Sequence, residues 1–166
     1  IAGVVSMLGF VTNSLVETTQ RFISYYQGNE QKETLKRVFN NSLIIHIFLG
    51  IVVSILLLCF APLLFNGFLN IPDNRIDVSK IVYIIVVIIL FTTFITSPFR
   101  ALLVSHENIV YISLVDVLDG LLKVFAVTIM AKSTFDRLLF YSFIMLSIQF
   151  FNFFALSTYC YLKYEE

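Results

Sequence analysis

Charged residues are scarce in this sequence, and tryptophan is absent. Of its 166 residues, 13% are charged and 58% are hydrophobic, whereas a soluble domain is typically about one quarter charged. A globule of this length could not cover its surface with so few charges, which excludes an ordinary soluble domain. The high hydrophobicity also excludes a disordered chain. We therefore predict an all-α membrane protein with several spans.

The charge that is present has no excess of either sign. Eleven Lys and Arg residues balance eleven Asp and Glu residues, and no basic tract occurs. Nucleic-acid binding depends on many contacts between cations and phosphates, so we expect no nucleic-acid partner.

The sequence has only two cysteines and none of the common enzyme motifs. Cys59 and Cys160 lie in apolar runs, without the spacing of metal ligands or of a disulfide framework. No P-loop, HExxH or GxSxG motif occurs. We expect a protein that is not an enzyme and that holds no cofactor and no metal. The sequence opens at Ile1 inside an apolar run, with no visible signal peptide, which predicts a fragment of a longer chain.

Five apolar segments have the roughly 20 residues that a membrane helix needs. They cover residues 1–26, 43–65, 81–104, 109–131 and 138–162. Residues 30–37 are predicted to form a charged helical turn that leads into the second span. Asn66-Gly67 is expected to end that span, and Pro72-Asp73 to begin the next helix. The later connections are short, so neighbouring spans are expected to be antiparallel.

The basic residues of the loops are divided almost evenly between the two sides of the membrane. One side has Lys32, Lys36, Arg37, Arg100 and Lys163, and the other has Arg75, Lys80, Lys132 and Arg137. By the positive-inside rule, this small difference places residues 30–37 in the cytoplasm.

The fourth span carries three charged residues, Asp116, Asp119 and Lys123. Each charge costs about 2.5–3.5 kcal/mol at the centre of a membrane helix. At about 100° per residue, all three fall with Gly120 within one third of the circumference. Asp119 and Lys123 can pair at i,i+4, whereas Asp116 has no partner at helical spacing, which favours a functional role. We expect this face to contact other helices or water.

The first span has a polar stripe of the same kind. It consists of Ser6, Asn13, Glu17, Gln20, Arg21 and Ser24. Glu17 and Arg21 have the i,i+4 spacing, acid first, that favours an ion pair. We predict that the first and fourth spans face a shared hydrated cavity. Ion pairs that simply hold helices together are the alternative.

Other polar residues of the spans have less specific interpretations. Arg100 is either an anchor that snorkels to the membrane surface or a cation at the mouth of the cavity. His46 is expected to be packed or hydrogen-bonded within the second span. Ser142, Gln149 and Asn152 form a stripe that is more typical of contacts between helices than of a site.

Three stretches form a recognisable pattern. Residues 19–29 are TQRFISYYQGN, residues 35–42 are LKRVFNNS, and residues 98–107 are PFRALLVSHE. Together with the spacing of the spans, they resemble the polysaccharide-transporter branch of the multidrug/oligosaccharidyl-lipid/polysaccharide flippase superfamily. The resemblance implies two lobes around a central cavity, of which this chain would be part of the first lobe.

The resemblance also implies a function. It is the flipping of a lipid-linked oligosaccharide, an undecaprenyl-diphosphate glycan, across the bacterial inner membrane by alternating access. The partners would be that glycolipid, membrane lipid and the remaining half of the full-length transporter. The candidate translocation residues are Glu17, Arg21, Arg100, Asp116, Asp119 and Lys123, of which the cations would face the diphosphate.

Two alternative functions stay open. One is a cation-coupled drug or metabolite antiporter of the same superfamily, in which Asp116 and Asp119 would matter more than the cations. The other is a membrane scaffold that transports nothing, in which the ion pairs are purely structural.

Overall fold

The described part of the chain consists of α-helices and contains no strand. The structure, a computed structural model, describes residues 2–29, 31–65, 72, 75–132 and 136–164, without the side chains of residues 2–8, 131 and 132. Within these ranges the helices are α1 (Ala2–Gly28), α2 (Lys32–Leu63), α3 (Ile76–Ser105), α4 (Ile109–Lys132) and α5 (Arg137–Lys163). The predicted all-α fold is confirmed.

The predicted segments 81–104, 109–131 and 138–162 each lie within one helix. The segment 43–65 overlaps α2, which ends at Leu63, and the described part of 1–26 lies in α1. α2 begins at Lys32, so the predicted charged turn is helical from that residue onward. The predicted stop at Asn66-Gly67 and the start at Asp73 lie outside the described residues, as does the side chain of Ser6.

Three of the described helices, α2, α3 and α5, are long and apolar enough to cross a membrane. α1 and α4, the two helices with charged stripes, are not among them. In α4, Asp116, Asp119 and Lys123 lie within about two turns. This charge density sets α4 apart from the three helices that length and composition select.

α3 is the central helix of the bundle and contacts the other four described helices. Phe94, Leu102 and Leu103 on this helix are fully buried. Pro98 lies inside α3, and the helix continues through it to Ser105. Proline therefore does not end the helix here.

All the described helices meet at one end of the bundle, which we call the hairpin end because the α3–α4 hairpin lies there. The core at this end contains Ile23, Leu35, Phe39, Leu102, Leu103, Ile112, Val115, Leu156 and Cys160. Apolar burial on this scale is the main favourable contribution to packing. The bundle is therefore closed at the hairpin end.

Polar and aromatic contacts hold the beginning of α4 against the end of α5. Asn108 Nδ2 donates to the hydroxyls of Tyr159 at 2.8 Å and Tyr164 at 3.0 Å. The ring of Tyr111 stacks on that of Tyr159, with centroids 3.8 Å apart, and its hydroxyl donates to the carbonyl of Ala155 at 2.9 Å. These contacts fix which face of α4 is turned toward α3 and α5.

An ion pair joins the two helix starts at the opposite end. Arg75 Nη1 lies 2.5 Å from Asp136 Oδ2. Asp136 also caps α5, since its carboxylate accepts from the Leu138 backbone N–H at 3.1 Å. Arg75 and Asp136 thus connect the beginnings of α3 and α5.

Candidate functional site

Two adjoining cavities lie between α1, α3, α4 and α5. The smaller, of about 380 Å³, is next to the core of the hairpin end, and we call it the polar chamber. The larger, of about 740 Å³, extends toward the starts of α3 and α5, and we call it the apolar chamber. The two chambers share the lining residues Thr12, Thr93, Asp119, Lys123 and Gln149.

A two-point ion pair crosses the polar chamber from α3 to α4. Arg100 Nη2 donates to Asp116 Oδ2 at 2.5 Å, and Nη1 donates to Oδ1 at 3.1 Å. The side chains of Arg100 and Asp116 are 41% and 49% exposed. Asp116 therefore does have a partner, which lies across the hairpin and not on its own helix. Arg100 lines the polar chamber.

A second polar chain joins α4 to α5 at the border of the chambers. Lys123 Nζ lies 2.6 Å from Asp119 Oδ2, which confirms the predicted i,i+4 pair. Asn152 Nδ2 donates to Asp119 Oδ1 at 2.6 Å. Asp119 is the least exposed charge of the cavity, at 18%. The Oδ1 atom of Asn152 is buried and has no hydrogen-bond partner within the described residues.

The charges of the polar chamber balance. Arg100 and Lys123 are each paired with a carboxylate. Pairing lowers the free-energy cost of placing charges near a low-dielectric region. This arrangement explains how α4 can belong to a membrane bundle despite its composition.

α1 also lines the cavity, but not with the charged residues that the sequence analysis selected. Thr12, Asn13 and Val16 line the polar chamber. Glu17 and Arg21 are exposed, are absent from the linings of both chambers, and form no ion pair with each other within the described residues. The expectation of a Glu17–Arg21 pair is wrong.

The orientation of α1 explains this difference. Its buried face contains Thr12, Thr19 and Ile23. At about 100° per residue, Glu17 and Arg21 point to the opposite side of the helix. Sequence periodicity shows which residues share the polar face of α1. The packing of α1 against α2 and α3 determines which part of that face lines the cavity.

α3 contributes hydroxyl groups that the sequence analysis missed. Thr93, Thr96 and Ser97 line the polar chamber with Arg100. Each hydroxyl donates to a backbone carbonyl one turn earlier in the helix, at 2.9, 2.7 and 2.9 Å. Their oxygens keep lone pairs that can accept hydrogen bonds from a ligand. The spacing i, i+3, i+4, i+7 of these four residues would have indicated a shared face.

The polar stripe of α5 both contacts a neighbouring helix and lines the cavity. Asn152 does join two helices, through Asp119. Gln149 lines both chambers, Asn152 lines the polar chamber, and Ser142 lines the apolar chamber. A residue of this stripe can therefore join two helices and line the cavity at the same time.

His46 lies outside the chambers, in the core between helices. Its side chain is 1% exposed, and its Nδ1 donates to the Ser42 carbonyl at 2.7 Å. The Ser42 hydroxyl in turn lies 2.8 Å from that of Thr19, which connects α2 to α1. The prediction of a packed, hydrogen-bonded histidine is confirmed.

Comparison with known protein families identifies the kind of molecule to which this cavity belongs. The MatE family profile matches residues 2–118. The chain belongs to the MatE family. This places it in the multidrug/oligosaccharidyl-lipid/polysaccharide flippase superfamily and indicates a multi-pass membrane transporter; members of the MatE family are transporters and not enzymes.

The MatE match covers only part of the candidate site. It includes Arg100 and Asp116 and ends at residue 118, so Asp119, Lys123 and α5 lie beyond it. No curated protein and no solved structure gives a significant match to the chain. Among the residues that the structure describes, no group of three or more His, Cys, Asp and Glu side chains is arranged to hold a metal ion.

Proposed function

We propose that this MatE transporter flips a lipid-linked oligosaccharide, of the undecaprenyl-diphosphate type, across the inner membrane of a bacterium. In this proposal the chain is part of the first of two lobes, and transport proceeds by alternating access. The polar chamber binds the head group. The mixed, charge-balanced lining of that chamber is the observation that supports the proposal most directly.

A sugar needs both donors and acceptors, because each hydroxyl can give and receive a hydrogen bond. The polar chamber offers carboxylates, amides, hydroxyls and two cations within one lining. The buried, unpartnered Oδ1 of Asn152 is an acceptor that a sugar hydroxyl could satisfy. A polyhydroxylated head group suits this set of groups better than an apolar or a purely cationic ligand.

The diphosphate has a separate role in the proposal. Arg100 and Lys123 are each shared with a carboxylate, so a diphosphate competes with Asp116 and Asp119 for these cations. Transfer of Arg100 from Asp116 to the phosphate loosens the link between α3 and α4. Substrate binding then favours a second arrangement of the helices, as alternating access requires.

The cation-coupled antiporter remains the second candidate. It gains support from the two carboxylates in the polar chamber. However, both carboxylates are already paired with basic side chains, and the described lining of this chamber contains no aromatic ring for a cation–π contact. A drug-sized organic cation therefore fits this site less well than a glycan.

Glu17 and Arg21 keep a place in the proposal at a different surface. They are exposed on the side of α1 that points away from the α2–α3 core. We propose that this side borders the aqueous pathway between the lobes.

Export of the glycan by the full-length transporter tests the proposal. Arg100→Gln and Lys123→Gln should each reduce export strongly at equal protein level. Arg37→Gln is the control and should not reduce it, because Arg37 is exposed on α2. Uptake of a radiolabelled organic cation, measured in the same strains, tests the alternative. Unchanged export in both chamber variants, or cation transport that depends on Asp116 and Asp119, would contradict a glycan flippase.

A further inference from the structure

The apolar chamber has a lining quite unlike that of its neighbour. α3 and α5 supply most of it, through Val82, Val86, Ile89, Leu90, Leu138, Met145 and Ile148. Its volume of about 740 Å³ lies within the range of about 300–1,000 Å³ typical of sites for drug-sized ligands. Because most of the exposed lining is apolar, it suits hydrocarbon better than water.

The two chambers adjoin, and charged residues lie at their border. Asp119, Lys123 and Gln149 line both. Beyond this border, toward the hairpin end, the lining is mixed, with charged and polar side chains beside Val16, Val115 and Leu156. In the other direction, toward Ser79 and Leu138 at the starts of α3 and α5, it is mainly apolar. Adjoining chambers, one with charged and polar groups and the other mainly apolar, complement an amphiphile.

We infer that the apolar chamber binds the hydrocarbon chain of the same ligand whose head group lies in the polar chamber. The choice of ligand rests on the proposed function. The chain then runs inside this lobe, between α3 and α5, and does not stay wholly in the surrounding bilayer. The head group points toward the hairpin end, since Arg100 lies close to the end of α3 at Ser105.

The rim of the apolar chamber at α1 has room for such a chain. Gly9 lines the chamber, and a Cβ added at this residue would meet no heavy atom within 4 Å. The first carbon of a larger side chain therefore has free space at this position, and the rest of the side chain extends into the cavity lining. This makes Gly9→Leu a suitable variant for blocking the chamber.

The absence of tryptophan provides a direct measurement, because any introduced tryptophan is the only one in the sequence given. Tyr141→Trp exchanges one aromatic ring for another inside the apolar chamber. Phe125→Trp places the reporter on the outer face of α4, where Phe125 is 63% exposed. Both positions lie within about two turns of the helix ends at the α4–α5 connection, so they sample similar depths.

The probes are two lipids that carry bromine at the same chain positions, a glucosyl diacylglycerol and a phosphatidylcholine. Each is added to nanodiscs that contain the full-length transporter with one reporter as its sole tryptophan, any others having been replaced. The glucosyl lipid should quench Tyr141→Trp several-fold more than the phosphatidylcholine does, and both should quench Phe125→Trp equally. Gly9→Leu should abolish the difference at Tyr141→Trp, whereas Gly28→Leu, also in open space, should preserve it.

Equal quenching of Tyr141→Trp by the two lipids, or no quenching by either, would overturn the proposed binding site for the hydrocarbon chain. If export still depends on Arg100 and Lys123 in that case, the proposed flippase function stands without it. Stronger quenching by the glucosyl lipid, together with export that does not depend on these cations, would support the hydrocarbon-chain site. It would contradict the proposed function.

Discussion

Arg100 and Asp116 form a two-point ion pair that joins α3 to α4 inside the polar chamber, with nitrogen–oxygen distances of 2.5 and 3.1 Å. The planar guanidinium and the carboxylate meet in the geometry that gives Arg–carboxylate pairs their specificity. Because the two residues stand on either side of the hairpin, the pair sets how these helices face each other.

The first prediction concerns the coupling energy of this pair. Arg100→Met and Asp116→Leu should each lower the free energy of unfolding by about 1–2 kcal/mol, less than for a fully buried pair because both side chains are partly exposed. A double-mutant cycle, measured by unfolding in detergent, should give a coupling of about 1 kcal/mol. The exposed Asp77–Lys80 pair, at 3.8 Å, is the control and should give almost none. Equal coupling in the two pairs would contradict a specific link between α3 and α4.

The second prediction concerns the contact between Asp119 and Asn152. Asn152→Asp places a carboxylate beside Asp119, where a donor stood at 2.6 Å, and like charges repel. We expect a loss of roughly 1–3 kcal/mol in unfolding free energy near neutral pH. Gln149→Glu, one turn earlier on the same face, is the control and should cost less, since no hydrogen bond of Gln149 is present among the described residues. A larger loss for Gln149→Glu would show that the contact is not important.

The third prediction separates the two edges of α1. Thr19→Val removes the buried hydroxyl contact with Ser42 at 2.8 Å and should cost about 1 kcal/mol of stability. Glu17→Ala and Arg21→Ala should change stability by less than about 0.5 kcal/mol, because exposed side chains without an ion pair contribute little. Thermal unfolding of the three variants is the measurement. Destabilisation by Arg21→Ala comparable to that by Thr19→Val would place Arg21 in a packed contact after all.

The fourth prediction concerns the close approach of α2 to α3 at Gly50. A Cβ added there would lie 3.1 Å from both Phe91 Cδ2 and Phe94 Cβ. Gly50→Leu should therefore destabilise the bundle by about 1–3 kcal/mol through overpacking. Gly120→Leu is the matched control, since a Cβ at Gly120 meets no heavy atom within 4 Å, and the change should be neutral or slightly stabilising. Similar melting temperatures for the two variants would show that the helices can move apart at little cost.

Local patterns were enough to predict much of the fold. Apolar length defined the helices, and i,i+4 spacing was sufficient for the Asp119–Lys123 pair, because both features depend on a single helix. The same spacing failed for Glu17 and Arg21. There, tertiary packing rotates α1 so that Thr12 and Asn13 meet the cavity and the charged pair does not.

The rest of the site depends on relations between helices, which periodicity does not contain. Arg100 and Asp116 are sixteen residues apart, and only the geometry of the hairpin brings them together. The Asn152–Asp119 contact likewise requires the docking of α5 on α4, which Asn108 and Tyr111 fix at the hairpin end.

The proposed head-group site requires that water reaches the polar chamber. Single cysteines at Thr96 and Ser97, which line that chamber, can be compared with one at Leu118 on the outer face of α4, after Cys59 and Cys160 have been replaced. A membrane-impermeant thiol reagent should label the cysteines at positions 96 and 97 in at least one trapped conformation of the transporter and should leave position 118 unlabelled. Failure to label both chamber positions in every conformation, with a loop cysteine labelled normally, would contradict an aqueous site for the head group.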